Sequence, residues 1–185
     1  MQTLTDIQLE TSRLILRLPR LEDLDPWSEM MTDEVTARFI GGVAPRAVCW
    51  RQLMTMIGAW HAHGFGMFSV IEKETGRWIG RLGPWQPEGW PGTEVGWAFH
   101  RSSWGKGYAT EAATAAIDWS FANLGWSEVI HSIAPENLAS QALARRLGST
   151  NRGPGRLPPP HEEVRIDIWG QSREDWLARR NGANP

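Results

Sequence analysis

Between residues 93 and 133 the chain reads as strand, glycine-bearing loop, long helix, strand, and this order constrains the fold more than any other feature of the sequence. Residues 93–100 have strand character. In residues 108–124, Ala109, Ala112, Ala113, Ala116, Ile117, Phe121 and Leu124 repeat at helical spacing, while Glu111, Thr114 and Asp118 fall elsewhere. Gly125 is a natural C-terminal stop, and residues 127–133 read as a second strand. Two neighbouring strands joined by a crossover helix of this length run parallel, so the sheet that contains them is mixed.

The remainder of the chain surrounds that unit with antiparallel signals. Residues 7–18 read as one strand, closed by Pro19, and residues 21–32 as a short helical stretch interrupted or restarted at Pro26. A helix is expected from Pro45, a good first-turn residue, to His63, where Gly64 ends it. Residues 65–73 and 77–85 flank the turn Glu74-Thr75-Gly76 and predict a hairpin. Asn137 can cap a helix that ends at Gly148. A Gly/Pro-rich loop over 153–160 precedes a last strand at 164–169 and a helix at 173–180. The expected fold class is α/β (α+β), and all 185 residues are assigned to one domain.

Composition narrows the function classes. Lys and Arg number 19 against 21 Asp and Glu, a net charge of −2, so no basic surplus exists to neutralise nucleic-acid phosphates. The single cysteine, Cys49, excludes an internal disulfide framework and a multi-thiolate metal site. His61 and His63, two residues apart on a helix, face different directions, and no metal is expected. The longest apolar run, Ala47-Val-Cys-Trp50, is far too short for a membrane span, and the first residues lack the pattern of a secretory signal. Cytoplasm is the expected compartment.

The loop Arg101-Ser-Ser-Trp-Gly-Lys-Gly-Tyr-Ala-Thr-Glu111 carries the first chemical signal. Glycines just before a helix let the backbone approach a ligand closely, and the first helical N–H groups have no helical carbonyl to bond. Both effects favour a phosphate at that point, although a plain tight connection uses the same residues. The loop lacks the Gly-Lys-Ser/Thr of a P-loop and the third glycine of a dinucleotide fingerprint.

Five blocks in order resemble the GCN5-related N-acetyltransferase (GNAT) superfamily, and within it the RimJ/RimL-type branch. They are Leu9-Glu-Thr-Ser-Arg-Leu-Ile-Leu-Arg17, residues 76–81, Glu94-Val-Gly-Trp97, Trp104-Gly-Lys-Gly-Tyr-Ala-Thr-Glu-Ala112 and residues 137–148. The resemblance implies the GNAT fold, with a central splayed parallel pair in a mostly antiparallel sheet flanked by helices. It implies acetyl-CoA as cosubstrate, its pyrophosphate held by the amides of Gly105, Lys106, Gly107, Tyr108, Ala109 and Thr110, with Trp104 beside them. Pantetheine would enter between the strand ending at Phe99 and His100 and the strand at 127–133, and Asn137 and Ser140 would bond the cofactor arm.

The implied reaction is direct attack of a primary amine on the thioester. Glu94 matches the acid often found on this strand in the branch and is the candidate base, with an ordered water as the alternative. A backbone N–H near Phe99 would polarise the carbonyl. Where many relatives carry a tyrosine acid this chain has Ala144, so Ser140 could donate instead, or the thiolate could leave unassisted. The acceptor is a protein N-terminus or a small amine. A catalytically weak CoA-binding sensor or interaction module with the same fold is the alternative. Among twelve tryptophans, Trp78, Trp97, Trp119 and Trp169 read as core. Trp85 and Trp90, in a Pro/Gly loop, could line an acceptor pocket, pack across a homodimer contact or cover a sheet edge. His161 reads as a loop residue near the acceptor or in solvent, and Arg145-Arg146 as a solvated pair or one near the CoA 3′-phosphate.

Overall fold

The computed structural model describes residues 7–182. Its eight strands lie in the order β1-β2-β3-β4-β5-β6-β8-β7, mixed and mostly antiparallel, with β5 and β6 the parallel pair. The chain divides into two compact units: Met1–Gly83 with Trp97–Ala116, and Pro84–Gly96 with Ile117–Pro185.

In the first unit, β1 (Gln8–Glu10), β2 (Leu14–Arg17), β3 (Phe68–Glu72) and β4 (Trp78–Trp85) form an antiparallel run. The single strand expected over residues 7–18 is therefore a hairpin. Its turn is closed where the Thr11 amide donates to Leu14 O at 3.0 Å, and the turn residues' polar groups are bonded by tertiary partners described below. The helices α1 (Leu24–Thr32), α2 (Glu34–Ala37) and α3 (Arg46–His63) follow β2. Pro26 is accommodated in the first turn of α1, where a missing N–H costs nothing. Pro45 caps α3, and Gly64 ends it with φ 75°, a left-handed conformation that favours glycine.

The core of this unit holds Leu14, Leu16, Met30, Leu53, Phe68 and Val70, all fully buried. Trp60 packs 4.8 Å from Phe68 and donates its indole N–H to Met67 O. Asp23, also buried, accepts from both terminal nitrogens of Arg17 (2.6 and 2.9 Å), the Arg20 amide and the Ser69 hydroxyl. Four donors on one buried carboxylate repay its desolvation and tie β2, α1's entry and β3 together.

In the second unit, β6 (Glu128–Ile133) pairs antiparallel with β8 (Ile166–Ser172), and β8 with β7 (Thr150–Gly155). The β7 strand corrects the expectation of irregular loop from Gly153: cross-strand pairing overrides the weak strand propensity of its glycines and proline. The helix α5 (Leu138–Leu147) is capped by Asn137, whose Oδ1 accepts from the Ser140 amide, and stops at Gly148 with φ 96°. The helix α6 (Arg173–Gly182) is anchored by Trp176, which donates to Asp118 Oδ1 at 2.7 Å.

The parallel register sets Glu94 of β5 (Glu94–Phe99) opposite Ile130, and the Ile130 amide donates to Thr93 O. The next outward carbonyl, Val95 O, is bonded by the ring of His131 at 2.7 Å, whose other nitrogen lies 3.1 Å from Ser149 Oγ. A backbone acceptor at the parallel pair is thus satisfied by a side chain. Burial pushes the His131 pKa down to about 4, so the ring is neutral, with Nδ1–H donating to Val95 and Nε2 accepting from Ser149.

Two predictions follow from these buried groups. Asp23→Asn leaves the Arg17 guanidinium facing a neutral amide and should cost about 3 kcal/mol in urea unfolding. For His131, native pKa about 4 lies below the unfolded 6.5, so stability is constant above pH 6.5 and falls as pH drops toward 4. The wild-type loss assigned to this group is about 3 kcal/mol, and His131→Gln should flatten that part of the pH–stability curve.

Candidate active site

The first constellation lies at the end of β5. His100 N donates to Ile79 O on β4, so the alternation of the strand turns the Phe99 N–H to the other edge of β5. Gly80 permits this close approach, because a Cβ there would lie 2.4 Å from Ala98 O. A tight turn over residues 100–103 follows. His100 Nδ1 accepts from the Ser102 amide, and its Nε2 lies 3.6 Å from the Glu29 carboxylate.

The loop then passes through Gly105 (φ 75°) and Gly107 (φ 81°), both exposed, into α4 (Tyr108–Asn123). A Cβ at Gly105 would meet nothing within 4 Å. The first helical bond runs from the Glu111 amide to Gly107 O, so the N–H groups of Tyr108, Ala109 and Thr110 precede any helical acceptor. Lys106 is exposed, its ammonium 5.9 Å from the Tyr108 ring centroid. Trp104, 47% exposed, donates its indole N–H to Phe99 O and pins the loop to the strand it leaves. An open turn of positive-φ glycines, a sixteen-residue helix behind it and a nearby lysine suit a pyrophosphate.

Tyr108 is the chain's one tyrosine, and its side chain turns to Glu72. Its buried phenol donates to Glu72 Oε1 at 2.5 Å, and that bond, with burial, raises its pKa. Glu72 in turn is held below the usual carboxylate range by hydrogen bonds from Thr75 and Tyr108. A phenol so committed is a poor general acid, and Ala144, which stands where the resemblance implies a tyrosine acid, is wholly buried within α5.

The second constellation belongs to the other unit. Glu94 is 7% exposed, and its Oε2 accepts from Trp90 Nε1 at 2.6 Å and from Ser132 Oγ at 2.7 Å. The parallel register explains Ser132: it stands two residues beyond Ile130, on the same face. Sequence reasoning reached Glu94 but not these two donors. Trp90, four residues upstream in the Pro/Gly loop, carried a usable signal, since a half-buried indole N–H normally finds an acceptor. Asn137 and Ser140 come together at the start of α5, where the amide side chain of one caps the backbone of the other, and Ser140 is half-buried.

Other candidates fall away from these groups. Cys49 is fully buried and points its thiol at Ala44 O, and His61, His63 and His161 are exposed. Trp78 and Trp169 are core as expected, whereas Trp97 and Trp119 are only half-buried. Arg145 stacks on Trp169 at 4.8 Å. Among the described residues no group of three or more His, Cys, Asp or Glu could hold a metal ion, and no helix is long and apolar enough to cross a membrane.

Comparison with known proteins identifies the family and the fold. The acetyltransferase (GNAT) domain family matches residues 13–150. The uncharacterized N-acetyltransferase p20 of Bacillus licheniformis is 32% identical over 148 residues, covering 78% of this chain and 83% of that protein. The crystal structure of an acetyltransferase from Agrobacterium tumefaciens superposes with a TM-score of 0.78 at 28% identity, over 90% of this chain and 95% of the other. RimL, a ribosomal L7/L12 alpha-N-protein acetyltransferase solved with coenzyme A, shares the fold at a TM-score of 0.73 and 14% identity, over 90% and 98% of the two chains. A mixed sheet with one parallel pair and a family match across residues 13–150 make this chain a member of the GNAT family of acetyl-CoA-dependent acetyltransferases.

Proposed function

We propose that this acetyltransferase acylates a primary amine by direct attack, with the α-amino group of a peptide or protein as the preferred acceptor and small amines as the further class. The observation that carries the reading is the Glu94 carboxylate, buried at the head of β5 and oriented by two hydrogen bonds to one of its oxygens. Acetyl-CoA supplies the activated acetyl thioester. The amides from Gly105 to Thr110 would hold its pyrophosphate, and the Phe99 N–H would stabilise charge developing on the thioester oxygen.

The acceptor must lose a proton to become a nucleophile. An α-ammonium near pKa ~8 is about one-tenth neutral at pH 7, whereas a lysine near ~10.4 is neutral at well under one in a thousand. A carboxylate base therefore has far less to do for an α-amine, which favours that acceptor. The RimL likeness points the same way. In the step itself the amine nitrogen bonds the acetyl carbon, the carbon–sulfur bond breaks, and Glu94 takes the amine proton directly or through a water. Ser140, at the start of α5, is the candidate donor to the departing sulfur. A thiol of pKa near ~8.5 can also leave as the thiolate, which suits a chain whose one tyrosine is bonded to Glu72.

Two outcomes test this. Glu94→Gln should lower kcat about 100-fold at neutral pH, a deficit that narrows as rising pH leaves more of the amine already neutral, measured with peptide and small-amine acceptors. Full activity across that range would remove Glu94 as the base. Trp90→Phe keeps the ring but deletes the N–H donor, and should lower kcat roughly tenfold while the KM for acetyl-CoA stays within twofold.

A further inference from the structure

The block Thr11-Ser-Arg13 has no part in the chemistry so far, yet it converges on the loop that precedes α4. Glu111, in the first turns of that helix, draws in the whole β1–β2 turn. Its Oε1 accepts from Thr11 Oγ1 (2.5 Å), Ser12 Oγ (3.1 Å) and the Arg13 amide (2.9 Å). Its Oε2 accepts from Arg13 Nε at 2.7 Å, with a terminal guanidinium nitrogen also 2.7 Å away. The other terminal nitrogen of Arg13 donates to the carbonyl of Lys106 at 2.9 Å, and the guanidinium lies 4.6 Å over the Tyr108 ring.

We propose that Arg13 is a positioning residue for the phosphate loop, holding the Lys106 carbonyl so that the loop amides face the pyrophosphate of acetyl-CoA. The inference rests on the reading of residues 105–110 as the pyrophosphate site. In a trans peptide the carbonyl and the following N–H point in opposite directions, so fixing Lys106 O on the Arg13 side aims the Gly107 N–H the other way. Gly107 has φ 81°, a left-handed conformation that favours glycine, and the guanidinium packs against it, 3.4 Å from where a Cβ would stand.

Arg13 has a second effect. A bare Glu111 carboxylate near the helix start would repel the phosphates, and the guanidinium neutralises it. Burial works to raise the Glu111 pKa, but the bonds from Thr11, the Arg13 backbone, the Arg13 side chain and Ser12 outweigh it and hold the group ionised. The planar fork pairs two nitrogens with the Glu111 carboxylate while a third holds Lys106 O, a fixed geometry that a flexible ammonium reproduces only in part.

The test compares acetyl-CoA with S-acetylpantetheine, a thioester that lacks the pyrophosphate, on wild type, Arg13→Gln and Arg13→Lys. Arg13→Gln should raise the acetyl-CoA KM at least about tenfold with kcat within about twofold, and leave kcat/KM for S-acetylpantetheine unchanged. Arg13→Lys, the milder change to the fold, should recover less than half of the lost affinity on a logarithmic scale. An unchanged acetyl-CoA KM in both variants overturns the inference, as does an equal loss with both thioesters, which would mark Arg13 as merely structural. If wild type itself gains nothing from the pyrophosphate, acetyl-CoA and S-acetylpantetheine having equal KM, the reading of the loop fails and the inference fails with it.

Discussion

A strand that runs parallel to its neighbour must be followed by a crossover, and β5 places everything else in this protein under that constraint. The crossover is α4, and the turn into it lays out backbone amides that no helical carbonyl can take. Glycine at 105 and 107 lets the turn adopt positive φ with open space around it. In the second unit, the register opposite β6 sets Glu94 beside Ser132.

Buried or partly buried carboxylates recur through the molecule, and their donors tell their roles apart. Asp23 is surrounded by Arg17, the Arg20 amide and Ser69, all of them scaffold, and serves the packing of β2 and β3. Glu72 bonds Thr75 and the Tyr108 phenol, which fixes the β3–β4 turn and the first residue of α4 together. Glu111 collects the β1–β2 turn. Glu94 alone is oriented by an indole from an irregular loop, the kind of element that carries specificity when a rigid sheet holds it in place. Each charge costs desolvation, and each is offset by donors that also restrict where the chain can go.

Much of this was legible in residue order. The periodic alanines of α4, Pro45 and Gly64 around α3, and Asn137 and Gly148 around α5 are local signals, each set by a few neighbouring residues, and the structure keeps all of them. The misreadings share one cause. The break within residues 7–18 depends on Glu111, about a hundred positions away, binding the turn, and β7 depends on pairing with β8. Trp90 reads in the sequence as a candidate for an acceptor pocket, a dimer contact or a sheet edge, and the Glu94 acceptor of its indole is visible only in the fold; Trp97 reads as core and is half-buried.

The amino-acid order by itself determined the element types, the parallel crossover, the glycine turn and the candidate carboxylate, because periodicity, caps and positive-φ glycines act over one or two turns of chain. Only the tertiary structure decided which donor holds which acid: Trp90 and Ser132 on Glu94, Tyr108 on Glu72, Arg13 across Glu111 and the Lys106 carbonyl. A buried charge must find partners wherever the fold brings them, and a hydrogen bond between residues far apart in the chain, or across an irregular loop as between Trp90 and Glu94, leaves no periodic trace in the sequence.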